Sequence, residues 1–208
     1  MPRHWALVAC AYVGLALLGA GISVAVHGGS PFAHPTPLMR ADPWWVRHAV
    51  SSGVGLGFAL VLVAVTRWTV TRVEAVRRLH LELRPVVVGM SLPGIALVSV
   101  LSSLGEELFF RSLLAPLIGV PLQAVLFGAA HQTRSATRWV WMVWAASVGL
   151  ALGYLYSATG SLVGAVVAHA VVNAVNLQFL RDHDPTVPAS SLGGLLGAGS
   201  GPKAGGGE

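Results

Sequence analysis

Two uncharged stretches, Leu92 to Leu104 and Ser112 to Ala130, flank the segment Gly105-Glu106-Glu107-Leu108-Phe109-Phe110-Arg111. Paired carboxylates inside so apolar a run are the strongest constraint on this chain. An ionisable side chain at membrane depth costs ~2.5–3.5 kcal/mol on insertion scales, so such residues face inward and mark function by default. On a helix Glu107 and Arg111 are four residues apart and share a face, which lets them pair. Glu106 is turned roughly 100° away and has no local partner. One carboxylate is neutralised and held, and the other is left free for chemistry.

The rest of the chain fits a membrane setting. Only 10% of the residues are charged and 54% are hydrophobic, with a mean hydropathy of +0.70. A soluble domain averages about 25% charged residues and needs them to cover a wet surface. The expected fold is all-α: a polytopic transmembrane helix bundle with about six membrane segments and a disordered C-terminal tail. The net charge of +5 comes mainly from arginines in short loops, not from a groove-forming patch interleaved with aromatics. That distribution argues against nucleic acid as a partner and for the positive-inside rule. The single cysteine, Cys10, excludes an intrachain disulfide and reads as a free core thiol. The apolar run before it is too short for a signal-peptide core, which argues against lipidation at Cys10, and the first span lacks a small-residue cleavage site and is expected to be retained.

In chain order, Trp5–Val26 is the first span, followed by a Pro- and Gly-rich loop, His27–Arg47. Trp44 and Trp45 suit an interface belt. His48–Thr66 is the second span, where Gly53, Gly55 and Gly57 allow close helix approach. Arg67–Arg84 carries an apolar stripe at helical spacing (Val73, Val76, Leu79, Leu83) and possible charge pairs, Glu74 with Arg78 and Arg78 with Glu82. Two readings stand: a separate basic amphipathic helix on the membrane surface, or a solvated continuation of the second span. The third span runs from about Leu92 to Leu114, which puts Glu106 ~20 Å along it at 1.5 Å per residue. Pro116, Gly119 and Pro121 end it. Leu122–His131 is a short apolar helix running back. Trp139–Tyr156 and Leu162–Leu180 are the last spans, joined by a turn at Ser157–Ser161.

The expected organisation is residues 1–84 as an N-terminal pair of spans plus the amphipathic helix, 85–181 as a catalytic core, and 182–208 as a Gly- and Pro-rich disordered tail. Six spans with Arg3 inside put Arg67–Arg84, Arg134, Arg138 and Arg181 on the same side. Only Arg40 and Arg47 fall outside. Both termini are therefore expected in the cytoplasm of a bacterial inner membrane.

Three further polar groups lie at membrane depth: His131 one turn after Phe127, and His169 and Asn173 four apart on the last span. With Glu106, Glu107 and Arg111 they make six polar side chains on three separate apolar segments, which must satisfy one another in lipid. Water activation needs a base, a partner for the water and donors for an oxyanion, and all three types are present. Singly, each has a structural alternative: helix glue for Asn173, a core hydrogen bond for either histidine, a structural ion pair for Glu107 and Arg111.

In that order, Glu106-Glu107-x-x-x-Arg111, Phe127-x-x-x-His131 and His169-x-x-x-Asn173 resemble the three motifs of the CPBP intramembrane protease family. That family includes CAAX prenyl endopeptidases and bacteriocin-processing or self-immunity proteins. The resemblance covers roughly Pro85 to Leu180. It implies that Glu106 is a general base on a water, that His131 helps hold the water, and that His169 and Asn173 stabilise the oxyanion. Glu107 and Arg111 would be the supporting pair. The implied function is an intramembrane endopeptidase. It would cut near the membrane, close to the C-terminus of a lipid-modified or membrane-anchored protein. No cofactor is favoured. Zinc held by Glu106, His131 and His169 is the competing mechanism, although no His-Glu-x-x-His helix is present. The alternative of another class is a non-catalytic polytopic protein with an immunity or scaffold role. A transporter should show repeated broken helices, and the sequence has no internal repeat.

Overall fold

A computed structural model describes residues 3–39 and 43–186. Within them the chain is helical: α1 (Arg3–His27), α2 (Trp44–Arg72), α3 (Glu74–Val87), α4 (Leu92–Glu106), a π-helical stretch (Glu107–Leu114), α5 (Ala115–Ile118), α6 (Val120–Ala130), α7 (Arg138–Thr159) and α8 (Leu162–Asp182). Five helical stretches are long and apolar enough to cross a membrane: Trp5–His27, Trp44–Arg72, Leu92–Ile118, Arg138–Thr159 and Leu162–Asp182. The sixth apolar segment is the short α6. Large apolar side chains such as Leu17, Val61, Trp68 and Val143 stand exposed on the outside of the bundle. A monomeric soluble protein does not expose contiguous greasy surface on this scale. The chain is a multi-pass integral membrane protein.

The ends of the elements follow local chemistry. Ser91 caps α4, accepting from Gly94 N at 3.3 Å, and Pro93 occupies the first turn, where its missing N–H costs nothing. Gly160 closes α7 in the left-handed region at φ +70°, and Ser161 then caps α8. The loop before α2 is stitched to this turn: Leu162 N donates to Phe32 O and His34 N to Gly160 O.

Several boundaries differ from those expected. The second span is longer at both ends, because the apolar pattern continues through Trp44 and Trp68. Pro116 does not end the third span; it sits in the first turn of α5, and the break comes at Gly119, φ +83°. Pro85 likewise lies inside α3. An extended residue, Val73 at φ −115° and ψ 112°, separates α2 from α3, so the amphipathic segment is its own helix. Glu74 pairs with both Arg77 and Arg78, whereas Glu82 turns away from Arg78 to accept from Thr137. Cys10 is exposed on the outer face of α1, not in the core. Of the expected tail, His183 and Asp184 contact α3; residues 187–208 and Arg40 lie outside the described residues.

Helix contact depends on single glycines. Gly53 and Gly57 have open space where a Cβ would stand, but a Cβ on Gly55 would lie 2.2 Å from Gly164 O. A Cβ on Gly164 would lie 2.1 Å from Ser51 O. Helices α2 and α8 thus touch backbone to backbone, with Ser51 Oγ also donating to Ser161 O at 3.0 Å. Gly164→Val should force these helices apart. Overpacking of this kind costs about 1–3 kcal/mol or more, so we expect a lower melting temperature in detergent, while Gly57→Val leaves it unchanged.

The start of α1, the start of α4 and the end of α8 share one end of the bundle. There Trp5 packs on Val87, Met90 and Ile95 beside Leu177 and Leu180. Helix α3 lies across this same end. It is tied at Glu82 to Thr137, at His80 Nε2 to His183 O (2.9 Å) and at Arg84 to Asp184 (3.4 Å). Burial holds the His80 imidazole below its usual pKa, which keeps it neutral and leaves one ring N–H for that carbonyl.

Candidate active site

The acid pair sits where α4 gives way to the π-helical stretch, so the helix widens at its most polar point. Such π segments cluster at functional sites because they re-aim side chains that a uniform α-helix would space evenly. Glu107 and Arg111 are fully buried, with Arg111 Nη1 3.0 Å from Glu107 Oε1. Glu106 is 8% exposed and borders a cavity of about 350 Å³.

Helix α6 delivers His131. Gly128 and Gly149 let α6 and α7 close together: a Cβ on Gly128 would meet Met142 O at 2.6 Å, and Phe127 fills the space beside Gly149. Phe127 has two jobs. Its ring carries the Arg111 guanidinium at 4.1 Å, a desolvated cation–π contact, and its carbonyl accepts from His131 Nδ1 at 2.7 Å. A carbonyl can only accept, so Nδ1 holds a proton, and in the neutral ring Nε2 then presents its lone pair to the acid. That Nε2 lies 3.6 Å from Glu106 Oε2.

Helix α8 delivers the other two groups. His169 bridges the carboxylates: Nδ1 is 2.7 Å from Glu107 Oε1 and Nε2 is 3.7 Å from Glu106 Oε2. Glu107 therefore orients an imidazole as well as pairing with Arg111. Asn173 Nδ2 donates to Ser102 Oγ at 3.1 Å, one turn before Glu106, and lines the same cavity. All six expected side chains come together. The contacts from Glu106 to the two rings are too long for direct hydrogen bonds, and the three atoms face one another closely enough for a water beside them to touch each.

Sequence reasoning missed three things. It did not find the bridge from Glu107 to His169. It missed Tyr12 of α1, which lines the same cavity as Glu106. It also did not foresee that the apolar stripe of α3 (Val76, Leu79, Leu83) and Val87 form a wall of the cavity. A signal for the second existed: Tyr12, Ala16, Gly19 and Ser23 form one helical stripe that holds both interior polar residues of α1.

Residues 88–175 match the family model described as Type II CAAX prenyl endopeptidase Rce1-like. This segment is similar to the Rce1-like family. It contains every one of the six polar residues above. A curated relative, the uncharacterized protein YpbD of Bacillus subtilis (strain 168), is 31% identical over 85 residues, which is 41% of this chain and 44% of that protein. The chain thus spans less than half the length of that relative. No solved structure matches significantly. The matched segment begins after α3 and ends within α8, and α1, α2 and α3, outside it, also line the cavity.

Proposed function

We propose that the protein is an intramembrane endopeptidase in which Glu106 activates a water. The observation that carries this is the facing of Glu106 Oε2 by the Nε2 atoms of His131 and His169, at 3.6 and 3.7 Å, at the edge of an apolar cavity. A water there points one O–H at the carboxylate while its other O–H donates a hydrogen bond to an imidazole lone pair and stays on the oxygen. The water oxygen bonds to the peptide carbonyl carbon as Glu106 takes the proton. The oxyanion then faces Asn173, whose second amide hydrogen is not used by Ser102. His169 adds a donor only when both its ring nitrogens carry protons, and Glu107 Oε1 accepts from Nδ1 in either state. Glu106 returns its proton to the leaving amine as the C–N bond breaks.

The substrate is a membrane-anchored or lipid-modified protein cut near its C-terminus, at the face where α3 lies. By the positive-inside rule that face is cytoplasmic, as it carries Arg67, Arg72, Arg77, Arg78 and Arg84. The deciding experiment is proteomics of membrane fractions from cells with wild type and with Glu106→Ala, scoring C-termini. Unprocessed ends that accumulate only in the variant are expected; identical C-termini would refute the reading. Asn173→Ala should lower kcat by ~10²–10³, the usual cost of one oxyanion donor, with little change in KM. An unchanged kcat would leave Asn173 only the task of holding Ser102.

Zinc chemistry would use the same three atoms. Among the described residues no three His, Cys, Asp or Glu side chains are arranged to hold a metal ion. A chelator titration is expected to leave the rate unchanged, and inhibition reversed by zinc would favour the metal reading.

A further inference from the structure

Helix α1 stands outside the Rce1-like segment, yet it is docked on the acid pair at backbone contact. A Cβ on Gly19 would lie 2.8 Å from Phe109 N, within the π-helical stretch. A Cβ on Gly105 would lie 2.8 Å from Tyr12 O and 3.5 Å from the Tyr12 ring. Ser23 Oγ meets Ser112 Oγ at 2.8 Å and fixes the register of α1 one residue beyond Arg111. This packing leaves Tyr12 bordering the same cavity as Glu106, with its ring beside the neighbouring Gly105.

We propose that Tyr12 is a positioning residue for Glu106: its phenol anchors the carboxylate so that Oε2 stays turned toward His131 and His169. The need for an anchor follows from the distances. Neither imidazole is close enough to bond the carboxylate directly, and the terminal torsion of a glutamate is broad, so the rings alone do not hold it. Glu107 is fixed by Arg111 and His169, whereas Glu106 has no cation of its own. An O–H donor to an ionised carboxylate is among the stronger neutral-to-charged contacts and adds no competing charge. Placing the anchor on α1 makes the N-terminal helix part of the site and not only its wall.

The inference rests on the hydrolytic reading above, and its test has one arm that does not. In protein carrying ring-labelled tyrosine, the infrared difference between wild type and Tyr12→Phe identifies the Tyr12 phenol band. That band should shift in Glu106→Gln, where a charged acceptor becomes a neutral amide. A band at the same position in both would overturn the proposal. The second arm measures cleavage of the membrane protein identified by the C-terminal comparison. Tyr12→Phe keeps the ring and the fold, and kcat should fall about tenfold to hundredfold with KM unchanged, as for a misplaced reacting group. A purely packing role would spare Tyr12→Phe and harm only Tyr12→Leu, and wild-type kcat in Tyr12→Phe would overturn the proposal. An infrared shift in a protein that processes nothing would retire the hydrolytic reading, and the positioning role with it, while the contact itself stood.

Discussion

Glu106→Gln is expected to lower kcat by at least ~10²–10⁴ while the protein still inserts and melts at or above the wild-type temperature. The rate loss is the usual contribution of a general base. The preserved fold follows from the pairing: Glu106 has no buried cation to orphan, and a neutral isostere removes a charge that low-dielectric surroundings disfavour. Purified variant in detergent or lipid discs, assayed in single turnover beside a thermal melt, checks both halves. Full activity would remove the water-activation mechanism. Loss of the folded protein would instead assign Glu106 to structure and favour the scaffold alternative.

The second large effect is on stability and falls on the neighbouring pair. Arg111→Met should cost about 3–5 kcal/mol, because it leaves Glu107, which has no solvent exposure, buried without its cation. Only the His169 ring would remain as a partner. Adding Glu107→Gln to Arg111→Met should restore much of the loss, since an apolar and amide pair no longer carries a buried charge. The measurement is the melting temperature of the two single variants and the double. A double variant no more stable than Arg111→Met alone would show that Arg111 acts through its packing on Phe127 and not through its charge.

Much of this was readable before any coordinates. Uncharged runs of membrane length fix helices and roughly fix their ends, and four-residue spacing correctly paired Glu107 with Arg111. The His131 and His169 segments were legible because polar groups in lipid have few places to go. What could not be read depends on contacts between segments far apart in the chain. The widened turn at Glu107–Leu114 is set by what packs around it, as is the share that His169 takes of Glu107. Of three glycines on the second span only Gly55 meets a neighbour, and that is decided by the rotation of α2 against α8. Tyr12 was hidden because its helix is apolar on nearly every side, which masks the stripe that faces the acid pair.

The cavity beside Glu106 has a consequence for what can be cut. An α-helix with its side chains is ~10–12 Å across and keeps its carbonyls engaged along its own axis. A space of about 350 Å³, walled by α3 and by side chains such as Phe127 and Trp144, takes a few residues of uncoiled chain and excludes an intact transmembrane rod. If Glu106 activates the attacking water as proposed, a scissile bond must arrive already unwound. On that reading free chain ends and frayed segments beside an anchor qualify, the middle of a neighbour's membrane helix stays out of reach, and the narrowness of the chamber would protect the other proteins of the bilayer from the acid inside it.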